Sequence, residues 1–341
     1  MDISTIKELP STLYIIGNGF DRYHGLETRY QAFALFLKEF YKDIYGLFIK
    51  YYALSDLDPD DNNSLRDPLW ADFENALAGL DFRSVLDDNS NYAANPSGPD
   101  FRDRDWHSFT IKMEGIVDQL TKETGEAFKE FILDVEFPSL KPNIELGLEP
   151  NSIFLNFNYT DTLERYYFIN KSKILYIHGK ANISKGGIIL GHGVTPMEPE
   201  EETVTVPEGL TEEELEWWLD QQSNQYDYSY DQAKEQIMSY FWDSYKPTQK
   251  IIEKNNPFFE RLRQVKKIFV LGHSIAIVDQ PYFVKIIHSV STNDVQWIVS
   301  YYSDAERDAL LNKLTSLGLK VSQIDLIKMT ELVRVVPTLF D

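Results

Sequence analysis

The sequence predicts an α/β fold in which a mainly parallel sheet is covered by helices and interrupted by helical insertions. Two observations predict it. From Ile153 onward, short apolar runs of strand length alternate with helical patterns, and almost every run ends in a glycine or a polar signature. Strands that alternate with helices favour parallel pairing with both sheet faces buried. Such sheets open their ligand crevices at the carboxyl ends of the strands, so polar residues there are candidates for function.

The first run, Leu13-Tyr14-Ile15-Ile16, is fully apolar, and Gly17-Asn18-Gly19 follows at once. Glycine lets the backbone turn sharply and approach a ligand, and the N–H groups after the turn can face a phosphate. The dinucleotide fingerprint asks for a third glycine where Arg22 stands. Taken alone, this patch is either a phosphate cradle or a tight turn after a buried strand.

Helical material follows. Phe33, Phe36, Leu37, Phe40, Tyr41, Ile44 and Phe48 share the face of one helix, as do Trp70, Phe73, Leu77 and Leu80, and Phe109 to Val135 resumes the pattern. These aromatic stripes read as core. Stretches rich in Asp, Asn and Pro at 55–68 and 87–105 read as exposed loops. Residues 34–150 therefore form a helical insertion in the α/β frame. The later strand candidates are Ile153–Leu155, Ile174–Ile177, Ile188–Leu190, Ile268–Leu271 and Val295–Val299, with one helix starting near Pro281 and another from Ala305 to Leu317.

No basic residue stands between Lys185 and Lys234, while acids crowd that interval, so 195–250 reads as a solvated insertion or lid. Its centre, Thr211 to Leu219, has the pattern of a capped helix with acids in the first turn. Trp217 and Trp218 cannot both enter one narrow core stripe. Either a lid helix packs them on its own domain, or one marks a contact with another subunit or partner.

With 341 residues, 43% hydrophobic and 14% aromatic, the chain can bury a large core, and 1–341 reads as a single elaborated domain. The net charge of −21 disfavours nucleic acid as a partner, because phosphate binding draws on clustered lysine and arginine. No apolar stretch approaches a bilayer span and the N-terminus lacks a signal-peptide pattern, so the expected setting is cytoplasmic, without membrane. There is no cysteine to supply a disulfide, a thiolate nucleophile or a zinc ligand.

The strand-end signatures are Asn156-Phe157-Asn158-Tyr159-Thr160, His178-Gly179, Gly191-His192-Gly193 and Gly272-His273-Ser274, which hold half of the six histidines. If these ends face one side, they share a crevice with Gly17–Asp21. The histidines lack the close ligand spacing of a zinc site, so no metal is expected.

Together with Ile15 to Asp21, His24-Gly-Leu26 and Asp279-Gln-Pro-Tyr-Phe283, these motifs resemble the AbiH family of bacterial proteins associated with abortive infection by phage. Beneath that, their order is similar to a divergent sirtuin (SIR2-like) domain, a Rossmann-like fold. The resemblance implies a nucleotide site for NAD. Gly17, Asn18, Gly19 and Phe20 would form the phosphate loop, and Gly272, His273 and Ser274 the second nucleotide loop. His24, Thr160, Gly191, His192 and Asp279 would line the pocket, while His178, Asn158 and Asp21 carry the chemistry.

Two positions depart from the sirtuin pattern: Thr160 stands where it has aspartate and Asp21 where it has serine. The zinc module of protein deacetylases is also missing. The resemblance therefore implies hydrolysis of NAD to nicotinamide and ADP-ribose rather than acyl-lysine chemistry. That reaction needs a positioned water and a group to take its proton. Asn158 can orient water or ribose hydroxyls, and His178, near its ordinary pKa, can accept a proton. Asp21 either stabilises developing positive charge or caps the helix after the turn. His24 either closes over the substrate or faces solvent, and His107 and His288 receive no role. The competing class is a non-catalytic module that binds a nucleotide or ADP-ribose and reports infection. A constitutive NAD-consuming enzyme would be toxic, so gating by a phage-derived trigger or by homo-oligomer assembly is expected.

Overall fold

Six parallel strands form one sheet in the computed structural model, which describes residues 10–99, 101–149, 151–182, 187–196, 210–211, 213–216, 228–290 and 295–334. They are β1 (Thr12–Ile16), β2 (Ser152–Asn156), β3 (Ile174–Tyr176), β4 (Lys267–Leu271), β5 (Gln296–Ser300) and β6 (Ile324–Ile327). The order is β3-β2-β1-β4-β5-β6, that of doubly wound dinucleotide-binding sheets, and the direction of winding reverses between β1 and β4. The α/β, Rossmann-like expectation holds.

β1 is buried along its whole length because it lies centrally with helices on both faces. On one face Tyr14 stacks between Phe154 and Phe269, with ring centroids 5.1 and 4.7 Å away. On the other, Leu13, Ile15, Ile268, Val270 and Trp297 pack against Tyr282, Phe283 and Ile286 of the helix Gln280–Ser289. The register sets Ile16 level with both Asn156 and Leu271, and Asn156 level with Tyr176. Four strands thus end in one line.

The chain between β1 and β2 builds a separate aromatic core around Phe33, Phe48, Trp70, Phe73 and Phe128. Its first stripe is two helices rather than one. Tyr30–Phe40 and Lys42–Tyr51 are broken at Tyr41 (φ −132°, ψ 56°), which turns Phe40 into solvent at 60% exposure. The stripe from Trp70 to Leu80 is likewise divided, into Pro68–Ala71, Phe73–Ala76 and a 3-10 turn at Leu77–Gly79. The stretch expected from Phe109 to Val135 is helical over Ser108–Asp118 and Thr124–Asp134, joined by a π-helical turn at Gln119–Glu123, where Thr124 Oγ1 donates to the Gln119 carbonyl at 2.7 Å. The 55–68 and 87–105 stretches carry short 3-10 turns between irregular segments.

Ile188–Leu190 is not a strand. It lies beside the chain after β3, with Ile189 N–H donating to the His178 carbonyl at 2.8 Å, and continues into a bridge between His192 and Tyr245. These are contacts to loops, and they leave its three apolar residues outside the sheet. β6, which was not expected, completes the far edge. The helices expected near Pro281 and from Ala305 are present as Gln280–Ser289 and Asp304–Ser316. In the acidic segment, Glu214 Oε2 accepts from Thr211 N–H at 2.9 Å and Thr211 Oγ1 accepts from Glu214 N–H at 3.3 Å, the reciprocal cap that was expected. Trp217 and Trp218 lie outside the described residues. Among the described residues no helix is long and apolar enough to cross a membrane.

Candidate functional site

Asn158, His178 and His273 each stand two residues past the end of a strand, and those strand ends are level, so the register delivers all three to one edge of the sheet. The three residues are 6%, 3% and 5% exposed.

The loops after β1 and β4 meet here backbone to backbone. Gly17 N–H donates to the Leu271 carbonyl at 3.0 Å and Gly19 N–H to the Gly272 carbonyl at 2.7 Å. A Cβ at Gly17 would lie 2.6 Å from His273 Cα, and one at Gly19 would lie 2.8 Å from Gly272 Cα. The glycines are thus required by the contact between the two loops, and the Gly19 amide points into that contact. Phe20 N–H donates to the Gly17 carbonyl, which leaves Asn18 as the exposed member of the turn. The Asn18 amide donates to the Thr28 carbonyl at 3.1 Å and accepts from the Thr28 hydroxyl.

Asp21, 1% exposed, caps no helix. Its carboxylate accepts from Thr160 Oγ1 at 2.6 Å and from Thr162 Oγ1 at 2.7 Å, tying the helix Asn18–Tyr23 to the loop after β2. Burial pushes its pKa up to about 6, against the pull of these hydrogen bonds. Asn158 reinforces the tie, donating from Nδ2 to the Gly17 carbonyl at 3.0 Å. His24 does not face solvent. Its Nδ1–H donates to the Phe20 carbonyl at 2.7 Å, so Nε2 accepts from Tyr167 OH at 2.6 Å, and burial lowers its pKa.

His178, His273 and Asp279 form the second group. His178 Nε2 lies 3.8 Å from Asp279 Oδ1, and His273 Nε2 lies 3.6 Å from Asp279 Oδ2. Phe157 stands between the imidazoles, edge-on to both, at 5.3 and 4.4 Å. His178 Nε2, Asp279 Oδ1 and the nearby Tyr282 OH are buried without a hydrogen-bond partner. Buried polar atoms are seldom left so, and a gap of this width between two of them suits a bridging hydroxyl or water.

Burial and the positive charge of Lys246 hold His178 well below its ordinary pKa, and burial pushes His273 down to about 3. His178 therefore does not titrate near neutrality as expected from the sequence. Asp279 is pushed up by burial to about 7, with Lys246 opposing the rise.

Two charged residues that the sequence did not single out complete the floor. Lys246, fully buried, donates from Nζ to both Glu74 oxygens at 2.8 and 2.9 Å, and Tyr159 OH donates to Glu74 Oε1 at 3.3 Å. The available signal was slight: Glu74 is one of two acids, with Asp72, inside the aromatic stripe from Trp70 to Leu77, and Lys246 is a lone cation between Tyr245 and Pro247. His192 serves this floor through its backbone. Its N–H donates to the Ser244 carbonyl, and its own carbonyl accepts from Lys246 N–H. Gly191 and Gly193 allow the approach, since Cβ atoms there would fall 2.2 Å from Ser244 O and 2.9 Å from Val278 Cγ2. Ser274 stands apart, facing solvent, with its carbonyl accepting from Lys313.

A family model described as bacteriophage abortive infection AbiH matches residues 13–301. The chain belongs to the AbiH family. The match runs from β1 through β5 and contains every site residue described above, whereas β6 lies beyond it. No curated protein matches this AbiH chain.

The Asp21 tie gives this AbiH protein a testable pH signature. Its folded pKa is raised above the unfolded value of 3.8, so between about pH 4 and 6 the folded state holds more protons than the unfolded state. Its contribution to stability is therefore largest in acid and falls as pH rises through that window, by up to about 3 kcal/mol. Asp21→Asn keeps an acceptor but cannot titrate. Urea unfolding of both proteins should show the wild type losing ground to the variant between pH 4 and 7, and a pH-independent difference would refute the assignment.

Proposed function

We propose that this AbiH protein acts in abortive infection by phage by hydrolysing NAD to nicotinamide and ADP-ribose. Membership of the family supports the defence role. The observation that carries the chemistry is the buried group of His178, Asp279 and Tyr282 with partner-free polar atoms, set where the strand ends line up beside the β1–β4 reversal. That is where doubly wound sheets receive nucleotides, and three unpaired polar atoms suit the hydroxyls of a ribose. The sirtuin-like order of the motifs selects NAD among nucleotides.

In this reading the glycosidic bond breaks with its electron pair going to the nicotinamide ring, which leaves neutral. Water then bonds to the ribose carbon and gives up a proton. Asn158 and His178 orient the ribose and the water, while Phe157 and Tyr282 exclude bulk solvent. Asp21 acts at one remove, holding Thr160 and Thr162.

The test is release of nicotinamide and ADP-ribose by purified protein, with nucleotide binding measured on the same samples. His178→Ala should lower turnover by about 100-fold or more. One observation favours a second reading, a non-catalytic nucleotide or ADP-ribose sensor: His178 and Asp279 are almost wholly sealed from solvent. Binding with no turnover by the wild type would favour the sensor. A seal also calls for an opening step, which fits gating by a phage-derived trigger or by assembly.

A further inference from the structure

We propose that the Asp279 carboxylate, rather than an imidazole, is the proton acceptor of this site, and that His273 is the positioning residue that fixes it. The proposal rests on the nicotinamide-releasing reading above and assigns one of its steps.

Three independent pieces of geometry carry it. First, Asp279 leads into the helix Gln280–Ser289 with helical backbone (φ −97°, ψ −12°), Pro281 offers no N–H two residues on, and the carboxylate makes no hydrogen bond to the first turn. Its carboxylate is turned into the imidazole group.

Second, the protonation of His273 is decided by its neighbours. Nδ1 accepts from Ile275 N–H at 2.9 Å, so the neutral ring carries its proton on Nε2, the atom that faces Asp279 Oδ2. The ring is clamped by Phe157 and Phe283, and the turn that delivers the Ile275 amide holds that β-branched residue at φ 52°. Such backbone is adopted only where surrounding structure enforces it.

Third, Oδ2 faces His273 Nε2 at 3.6 Å, while Oδ1 is without a partner opposite the equally unpartnered His178 Nε2. A water between them would be oriented by one and deprotonated by the other. The water oxygen bonds to the ribose carbon as nicotinamide departs with the glycosidic electron pair, and the water proton passes to Oδ1.

The other groups facing Asp279 leave it this task. Lys246 and Glu74 neutralise each other, and the phenols of Tyr30, Tyr159 and Tyr282 are held protonated by removal from water. Both histidines are held neutral by burial, whereas Asp279 titrates close to neutrality, where a general base is most effective.

The experiment uses the full chain. The pH dependence of kcat and KM for nicotinamide release is measured for the wild type, Asp279→Asn, His273→Leu and His273→Gln, and the aspartate carboxyls of the wild type are titrated by carbon-13 NMR. Asp279→Asn should lower kcat by about 100-fold or more, leave KM within about threefold, and abolish the fall in kcat on the acid side. His273→Leu should move that fall to higher pH with KM unchanged, and His273→Gln, which restores a donor, should return it. In the NMR titration one carboxyl should change near neutrality, be missing in Asp279→Asn, and shift in His273→Leu. Retention of kcat and of the acid-side fall in Asp279→Asn would overturn the proposal. So would an Asp279 carboxyl that titrates in the ordinary acid range. If the wild type releases no nicotinamide, the NAD reading fails, and the titration alone decides whether Asp279 accepts the proton in this site.

Discussion

Gly272→Ala is expected to leave no folded protein. Gly272 sits at φ 65°, where an L side chain costs about 1–2 kcal/mol, and its Cβ would fall 2.1 Å from Phe20 N and 2.4 Å from Gly19 C. Those atoms are backbone. They belong to the turn after β1, which is fixed by Gly17 N–H to the Leu271 carbonyl and by Gly19 N–H to the Gly272 carbonyl. Relief would require the central strands to separate, so the cost should exceed about 5 kcal/mol, a large part of the stability of a domain. Gly125→Ala is the matched control, because a Cβ there meets nothing within 4 Å and lies in a helix, where alanine is favoured by up to about 1 kcal/mol. Soluble yield and circular dichroism of the two variants make the comparison. A native spectrum from Gly272→Ala would contradict the close packing of the two loops.

Lys246→Met is expected to cost about 3–5 kcal/mol, since removing one member of a buried pair strands the other. Lys246 has no exposed side-chain surface and Glu74 has 14%, so little water reaches the carboxylate left behind. The double variant Lys246→Met with Glu74→Gln removes both charges and should recover most of the loss, because a buried ion pair has little net advantage over a neutral replacement. Urea unfolding of the two single variants and the double variant separates the pair from the packing. If Lys246→Met alone unfolds within about 1 kcal/mol of the wild type, the pair is not holding the floor of the site.

The legible parts of the site were those that hang directly on a strand. His178 and His273 follow apolar runs that pair in the sheet, so their convergence was implied by the α/β pattern itself. Ile188–Leu190 had the same signature and failed, because apolar content does not say whether a segment finds a sheet edge or a loop to lie against. The break at Tyr41 was hidden for a related reason: the helical spacing continues through it, and only packing of both helices around Trp70 and Phe73 forces the turn. Glu74 and Lys246 come from separate stretches that tertiary structure alone brings together, so neither carries a local motif.

Asp279 was visible as a residue, but its place between two imidazoles depends on loops after β3 and β4 that only tertiary structure brings to it. Asp21 and Thr160 show how pairing can resolve what looked like two losses. The two positions that set this sequence apart from the sirtuin pattern are hydrogen-bonded to each other, so they belong to one contact.

The central place of β1 has a consequence for how the chain is made. β1 leaves the ribosome before its neighbours β2 and β4, which begin at Ser152 and Lys267, so about 250 residues must be added before its second edge can pair. At about 5–20 residues per second that is on the order of ten seconds to a minute of translation. Gly272, His273 and Asp279 arrive only after it. A chain that stops short of Gly272 therefore cannot hold a completed site, whatever β1 and β2 have already formed.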